Sequence, residues 1–146
     1  MKDGREEKKK PSFLTNKSLI DTFNNAINGL VAAVRSERNM KIHLVAAILV
    51  GIAALILDVS KIELAILTIC IVMVFVAEFF NTAIEELVDL QTQGRYSKVA
   101  KSVKDITAGA VFVSAVSSVL VGYLIMYDKI KDMFLGKPLS INKIFK

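Results

Sequence analysis

Cysteine and histidine, which support much enzyme chemistry, are nearly absent from this chain of 146 residues. It has one cysteine, Cys70, and one histidine, His43. A zinc site built from Cys and His and a Cys–His nucleophilic pair are therefore unsupported, and Cys70 has no partner for an intrachain disulfide. Cys70 lies in an apolar run, where we expect a small buried hydrophobic residue. We expect His43 to lie at a membrane interface with its hydrogen bonding satisfied.

Phosphate-binding loops of the common kinds are also missing. No glycine-rich run precedes a Lys-Ser or Lys-Thr pair, and the glycine-loop motif of protein kinases is absent. If this chain binds a nucleotide, the binding site must be of another kind.

Apolar residues are abundant and come in blocks. They make up 53% of the chain, and the mean hydropathy is +0.50. This is too apolar for an ordinary soluble domain of this size, so we expect one small membrane domain. The net charge is +5, and we interpret the basic excess as attraction to anionic lipid and as orientation by the positive-inside rule. We expect no nucleic-acid partner, because the lysines are spread over segments that flank the apolar runs.

The order of charged and apolar segments predicts an all-α membrane protein, with an N-terminal amphipathic interfacial helix and three transmembrane helices. Two capping boxes, at Ser18–Asp21 and Ser60–Glu63, mark helix starts, so Glu63 has a structural role. Gly94 is expected to end the second span's helix. The predicted segments are a disordered basic cytoplasmic tail (1–17), a membrane domain (18–127) with the amphipathic helix at 18–39 and spans at about 41–57, 62–80 and 106–127, and a polar tail (128–146).

Three spans place the two ends of the chain on opposite sides of the membrane. The basic N-terminus and the loop at 98–104 can both be cytoplasmic, which leaves the C-terminal tail outside. The lysines of that tail argue against this orientation, but two basic segments favour it. On the third span, small residues repeat every four positions and predict a face for close helix packing: Ala110, Ser114, Ser118 and Gly122.

A polar stripe begins inside the second apolar run. At about 100° per residue, Glu78, Asn81, Glu85 and Asp89 share one helix face, whereas Glu86 falls off it. A carboxylate at membrane depth is unfavourable by at least about 2.5–3.5 kcal/mol, which makes this face a functional candidate. The alternative is that Glu78 reaches the interface by snorkelling and that the rest is a solvated face.

The predicted topology brings Glu37, Lys104 and Asp105 to the same cytoplasmic boundary as the stripe. Carboxylates at a wet boundary suit Mg²⁺, and a lysine suits a phosphate. Glu78, the deepest carboxylate, could act as a general base for an alcohol. Phosphoryl transfer needs little more than positioning, a metal and cationic stabilisation. For Glu37, local pairing with Arg38 or Lys41 is the simpler alternative.

Three motifs resemble a known family. Residues 78–89, EFFNTAIEELVD, resemble the signature of the small integral-membrane diacylglycerol kinases, which include the undecaprenol kinases of Gram-positive bacteria. Lys104-Asp105, followed by Ala-Gly-Ala, resembles the family's second motif. Gly29, the run 35–39 (RSERN) and His43 resemble its N-terminal motif in the undecaprenol-type version. The resemblance covers about residues 23–127.

This resemblance implies an ATP- and Mg²⁺-dependent lipid kinase that works as a homotrimer, with composite sites between subunits near the cytoplasmic surface of the bacterial plasma membrane. It implies that Glu78 is the general base and that Glu37 and Glu85 hold the metal ions that bridge the ATP phosphates. The remaining residues to which it gives nucleotide-binding or supporting roles are Asn81, Lys104, Asp105, Tyr96 and Ser97, with Asp89 and Arg38 as possible support.

Two departures from the family pattern concern residues that would contact the nucleotide. The family often has a histidine where this chain has Ser97, which could simply cap the third span's helix. The enterobacterial members carry an arginine near the start of the amphipathic helix, where this chain has Lys17-Ser18. The resemblance therefore implies no contact from that arm to the nucleotide.

The leading hypothesis is a kinase that phosphorylates undecaprenol, with diacylglycerol as the alternative acceptor. A hypothesis of another class is a non-enzymatic membrane protein, such as a small pore or an assembly factor. The second hypothesis leaves the alignment of the carboxylates with Lys104 unexplained.

Overall fold

A computed structural model of the chain describes residues 18–136, and all regular structure within that range is helical. The all-α prediction is therefore confirmed. The predicted tail at 1–17 and the last ten residues of the tail at 128–146 lie outside the described residues. The helices are α1 (Leu19–Ser36), α2 (Arg38–Ile56), α3 (Lys61–Thr92) and α4 (Lys98–Phe134).

The first helix begins at the predicted cap, where the Asp21 N–H donates to Ser18 Oγ at 3.3 Å. It ends at Ser36 rather than at the predicted residue 39, because Glu37 has an extended backbone (φ −94°, ψ 128°) and is the N-cap of α2. The chain divides after Ala32 into two compact units, and most of α1 belongs to the first.

The helices α2, α3 and α4 are long and apolar enough to cross a membrane. Two of them continue beyond the predicted spans, since α3 has 32 residues and α4 has 37. At most 17% of the most apolar window of any of the three is buried within the described chain. Their outward faces are therefore left for lipid or for other protein chains.

Local signals define the two turns. Ser60 and Glu63 form the predicted capping box: Glu63 N–H donates to Ser60 Oγ at 3.3 Å, and Ser60 N–H donates to Glu63 Oε2 at 2.6 Å. At the other end of α3, Gln93 and Gly94 take left-handed conformations (φ 51° and 74°). Gly94 thus takes part in ending the helix, as predicted.

Short turns make α2, α3 and α4 successive antiparallel neighbours, and α3 packs chiefly against α4. The small-residue stripe of α4 contributes to this contact. Ser118 Oγ donates to the Cys70 carbonyl at 3.1 Å, and the site of a Cβ on Gly122 would lie 4.0 Å from Leu67. The predicted packing face is confirmed at these two positions. A buried core at the α2–α3 turn consists of Ala54, Leu57, Val59 and Leu67.

Candidate functional site

The polar stripe of α3 runs from a buried end to an exposed end. Glu78 is 2% exposed and Asn81 is 7% exposed, whereas Glu85 is half-buried and Asp89 is exposed. At 1.5 Å per residue, the stripe from Glu78 to Asp89 is about 16 Å long. A single rigid helix therefore connects a buried carboxyl to a wet boundary.

Glu78 contacts the start of α2. The neighbours of its carboxyl are Asn39, His43, Glu37 and Glu85, which lie close enough to interact with it. Within residues 18–136, the buried Glu78 Oε2 has no hydrogen-bond partner. A buried polar atom left without a partner is unfavourable by about 1–3 kcal/mol, so such an atom needs an explanation.

Asn81 connects the buried end of the stripe to Glu85. Its Nδ2 donates to Glu85 Oε1 at 3.0 Å, which fixes the orientation of that carboxylate. Its Oδ1 is buried and has no hydrogen-bond partner in the described part of the chain. Glu78 and Asn81 thus each present one unpartnered oxygen, one turn apart on the same face.

Glu37 joins this group because it lies at the break between α1 and α2. Its side chain makes no capping hydrogen bond, and it interacts electrostatically with Glu78. Lys41, one of its possible local partners, donates instead to the Arg35 carbonyl at 2.8 Å. Arg38 is exposed at the first residue of α2, and its supporting role stays a prediction.

The other predicted residues form a second group, the turn pocket. This open cavity of about 360 Å³, with several charged residues in its lining, lies between the end of α3 and the start of α4. Lys104 Nζ lies 2.6 Å from Asp89 Oδ1, and Lys101 Nζ lies 2.5 Å from Asp105 Oδ2. The residues that line the turn pocket are Val88, Asp89, Thr92, Gly94, Arg95, Tyr96, Ser97, Ala100, Lys101, Lys104 and Asp105.

Within the turn pocket, Ser97 has a structural role in the helix, whereas the side chain of Tyr96 is exposed. Ser97 is the N-cap of α4, and its Oγ accepts a hydrogen bond from Ala100 N–H at 3.4 Å. The capping role considered for Ser97 is therefore confirmed. Tyr96 is 79% exposed, so its ring is available to a ligand.

The carboxylates fit Mg²⁺ as a nucleotide-bound ion and do not form a closed protein cage. Among residues 18–136, no three His, Cys, Asp or Glu side chains are grouped to hold a metal ion. Magnesium usually binds proteins through one or two carboxylates and fills its other positions with water and substrate phosphates. Glu37 and Glu85, which both neighbour Glu78, would supply two such carboxylates.

An apolar groove lies on the three long helices near the Glu78 carboxyl, with His43 in its lining. It has a volume of about 460 Å³ and lies between α2, α3 and α4. His43 lines the groove and also interacts with Glu78, so its place is more specific than the interfacial one expected. Asn39 and His43 share a face at i and i+4, which was the available signal for their common role. The groove's lining includes His43, Ala47, Leu67, Phe75, Val119 and Tyr123.

Known proteins match most of the sequence that forms these helices. The family described as prokaryotic diacylglycerol kinase matches residues 24–126. An undecaprenol kinase of Bacillus subtilis is 40% identical over 109 residues, which are 75% of this chain and 88% of that protein. A diacylglycerol kinase of Synechocystis sp. is 36% identical over 105 residues, which are 72% of this chain and 60% of that protein. The matched region includes the α3 stripe, the turn pocket and the start of α2, and the chain belongs to the prokaryotic diacylglycerol kinase family of lipid kinases.

Proposed function

We propose that this protein transfers the γ-phosphate of ATP to the hydroxyl of a membrane lipid alcohol, and that undecaprenol is its preferred acceptor. The observation that carries this proposal is the buried Glu78 carboxyl. Its unpartnered oxygen lies among Glu37, Glu85 and His43, and His43 leads to an apolar groove. A hydroxyl at the head of a hydrocarbon chain suits that position.

Glu78 is the general base in this proposal. It takes the proton of the lipid hydroxyl as the oxygen attacks the γ-phosphorus and the bond to the leaving phosphate oxygen breaks. Asn39 is a neighbour of the carboxyl and orients it in this proposal. Burial at 2% exposure keeps water from competing with the lipid hydroxyl.

Glu37 and Glu85 hold Mg²⁺ in this proposal. When bound, the ion neutralises and orients the phosphates of ATP. Asn81 keeps Glu85 in place through its 3.0 Å hydrogen bond. The Oδ1 of Asn81 could accept a hydrogen bond from water bound to the ion. The turn pocket binds the rest of the nucleotide, with Lys104 as a cation for phosphate, Asp105 beside it and Tyr96 as an exposed aromatic surface.

The groove fits the hydrocarbon chain of either acceptor, and the comparison with the relatives favours a prenol. The groove is apolar along its length and lies between three membrane helices, so it suits a hydrocarbon chain. The match to the Bacillus subtilis undecaprenol kinase covers more of that relative's length than the match to the Synechocystis diacylglycerol kinase does. Diacylglycerol is the second candidate, since one of the relatives is named for it.

We also propose that the protein is a plasma-membrane homotrimer with composite sites at its cytoplasmic face. The basic N-terminal and 98–104 segments support this orientation through the positive-inside rule. The largely unburied apolar faces of α2, α3 and α4 leave surface for other subunits.

The experiment that tests the acceptor is a side-by-side assay in one mixed-micelle system. Purified protein receives labelled ATP and Mg²⁺ with undecaprenol or with diacylglycerol, and the two lipid phosphates are quantified. The proposal predicts transfer to both or to undecaprenol alone, with the higher kcat/KM for undecaprenol. A higher kcat/KM for diacylglycerol contradicts the proposed preference, and no transfer to any lipid alcohol contradicts the kinase.

A further inference from the structure

The turn pocket contains three cations, and two of them are already paired. Lys104 pairs with Asp89 and Lys101 pairs with Asp105. The third cation, Arg95, lines the same pocket. Among residues 18–136, its guanidinium has no hydrogen bond or ion pair, and its side chain is exposed. Arg95 therefore accounts for the net positive charge of the pocket lining.

We propose that Arg95 is a further nucleotide-binding residue, whose guanidinium contacts the phosphates of ATP. This inference rests on the proposed kinase function and adds a residue to its donor site. The turn pocket already contains five residues predicted for nucleotide binding or support: Asp89, Tyr96, Ser97, Lys104 and Asp105.

The charges of the pocket explain why Arg95 is needed. Each lysine lies 2.5–2.6 Å from an aspartate, so a phosphate must compete with that aspartate for the ammonium. Arg95 has no such competitor in the described part of the chain. Its planar guanidinium also matches phosphate oxygens in a bidentate way, which an ammonium cannot do.

The backbone places Arg95 at the pocket in a defined way. Gln93 and Gly94 take left-handed conformations after the end of α3, and the Arg95 N–H donates to the Thr92 carbonyl at 3.0 Å. Two residues later, Ser97 caps α4. Arg95 is thus held between two helix ends.

Lys98 provides the matched control for this proposal. It is exposed at the first residue of α4, three positions after Arg95, and it does not line the turn pocket. The variants Arg95→Gln and Lys98→Gln each remove one positive charge from the same turn. They differ in whether the lost charge belongs to the pocket.

The test measures steady-state kinetics with ATP varied and the lipid alcohol saturating, for wild type, Arg95→Gln, Arg95→Lys and Lys98→Gln in the same micelles. We expect Arg95→Gln to raise the KM for ATP about tenfold while kcat stays within about twofold, since a charge-assisted contact to substrate is lost. The KM for ATP of Arg95→Lys should lie between the values of wild type and Arg95→Gln, and Lys98→Gln should have the KM of wild type. Binding of a non-hydrolysable ATP analogue weakens in parallel in Arg95→Gln.

Three results overturn the proposal. One is an unchanged KM for ATP in Arg95→Gln. Another is an equal change in Arg95→Gln and Lys98→Gln, which would indicate a general effect of surface charge or a lipid-headgroup contact. The third is unchanged analogue binding in Arg95→Gln. If the wild-type protein phosphorylates no lipid alcohol, the proposed function fails, and the analogue measurement still decides whether Arg95 binds nucleotide.

Discussion

Lys104 on α4 and Asp89 on α3 form an ion pair, with Nζ and Oδ1 2.6 Å apart. This pair attaches the start of α4 to the outer end of the α3 stripe. It gives Asp89, whose role the sequence left open, a contact with a residue predicted to bind the nucleotide. The aspartate contacts the same ammonium that the phosphates of ATP are proposed to use.

The pair leads to a prediction about unequal roles. Lys104→Gln should lower kcat/KM for ATP by about 100-fold, because a cation at the phosphates is lost. Asp89→Asn should change it less than tenfold, because Asp89 acts only through Lys104: its loss frees the ammonium for phosphate but also removes the contact that positions it. The two changes should not add: Asp89→Asn/Lys104→Gln should equal Lys104→Gln. Additive losses in this double-mutant cycle would show that Asp89 acts independently of Lys104.

A second prediction concerns the hydrogen bond between Asn81 and Glu85. Glu85→Gln keeps an oxygen that can accept from Asn81 Nδ2 but removes the negative charge. We expect the Mg²⁺ concentration for half-maximal activity to rise about tenfold or more, because a metal ligand has lost its charge. Titration of activity with Mg²⁺ at fixed ATP measures this. A variant with the Mg²⁺ dependence of wild type would remove Glu85 from the metal site.

A third prediction separates stability from activity at the far end of the bundle. Glu63 Oε2 accepts from Ser60 N–H and lies 3.1 Å from Lys129 Nζ. Glu63→Ala removes both contacts and should destabilise the protein by about 1–2 kcal/mol, whereas Lys129→Ala keeps the cap and should have a smaller effect.

Thermal unfolding in detergent measures this difference, with activity per folded molecule as the control readout. Since Glu63 and Lys129 lie at the opposite end of α3 and α4 from the site, that activity should be unchanged. A larger loss of stability in Lys129→Ala than in Glu63→Ala would contradict the importance of the cap.

A fourth prediction concerns the apolar groove. Ala47 lines it, whereas the neighbouring Ile48 on the same helix is 55% exposed and does not. Ala47→Phe should fill part of the groove and lower kcat/KM for undecaprenol about tenfold. The loss should be smaller for a short-chain prenol, which needs less of the groove. Equal losses for the two alcohols, or the same effect from Ile48→Phe, would show that the groove does not bind the chain.

The sequence was most informative where one helix carries the signal. The capping box of Ser60 and Glu63 and the stripe on α3 depend on spacing alone, and the structure has both. The predicted end of α1 was wrong by three residues. No glycine or proline marks the break between α1 and α2, where Glu37 takes an extended conformation. The prediction that the chain belongs to this family of lipid kinases is confirmed by the family match.

Contacts between helices were beyond the reach of periodicity. The interaction of Asn39 and His43 with Glu78 requires α2 to lie against α3 in one register, which single-helix patterns do not specify. The pairing of Lys104 with Asp89 also joins two helices. Spacing along one helix therefore does not predict that the turn pocket forms apart from the carboxylates of Glu37, Glu78 and Glu85. The contacts that do follow from i,i+4 spacing are the pairing of Lys101 with Asp105 and the hydrogen bond from Asn81 to Glu85.

The measurement that tests the central claim most directly is phosphoryl transfer to a lipid alcohol by Glu78→Gln, with Glu86→Gln as the matched control. Both changes replace a glutamate of α3 by its neutral isostere, but Glu78 is buried and Glu86 is exposed off the stripe. With equal amounts of inserted protein, Glu78→Gln should lose at least about 1,000-fold in kcat while Glu86→Gln remains near wild type. Near-wild-type turnover in Glu78→Gln would contradict the assignment of Glu78 as the general base.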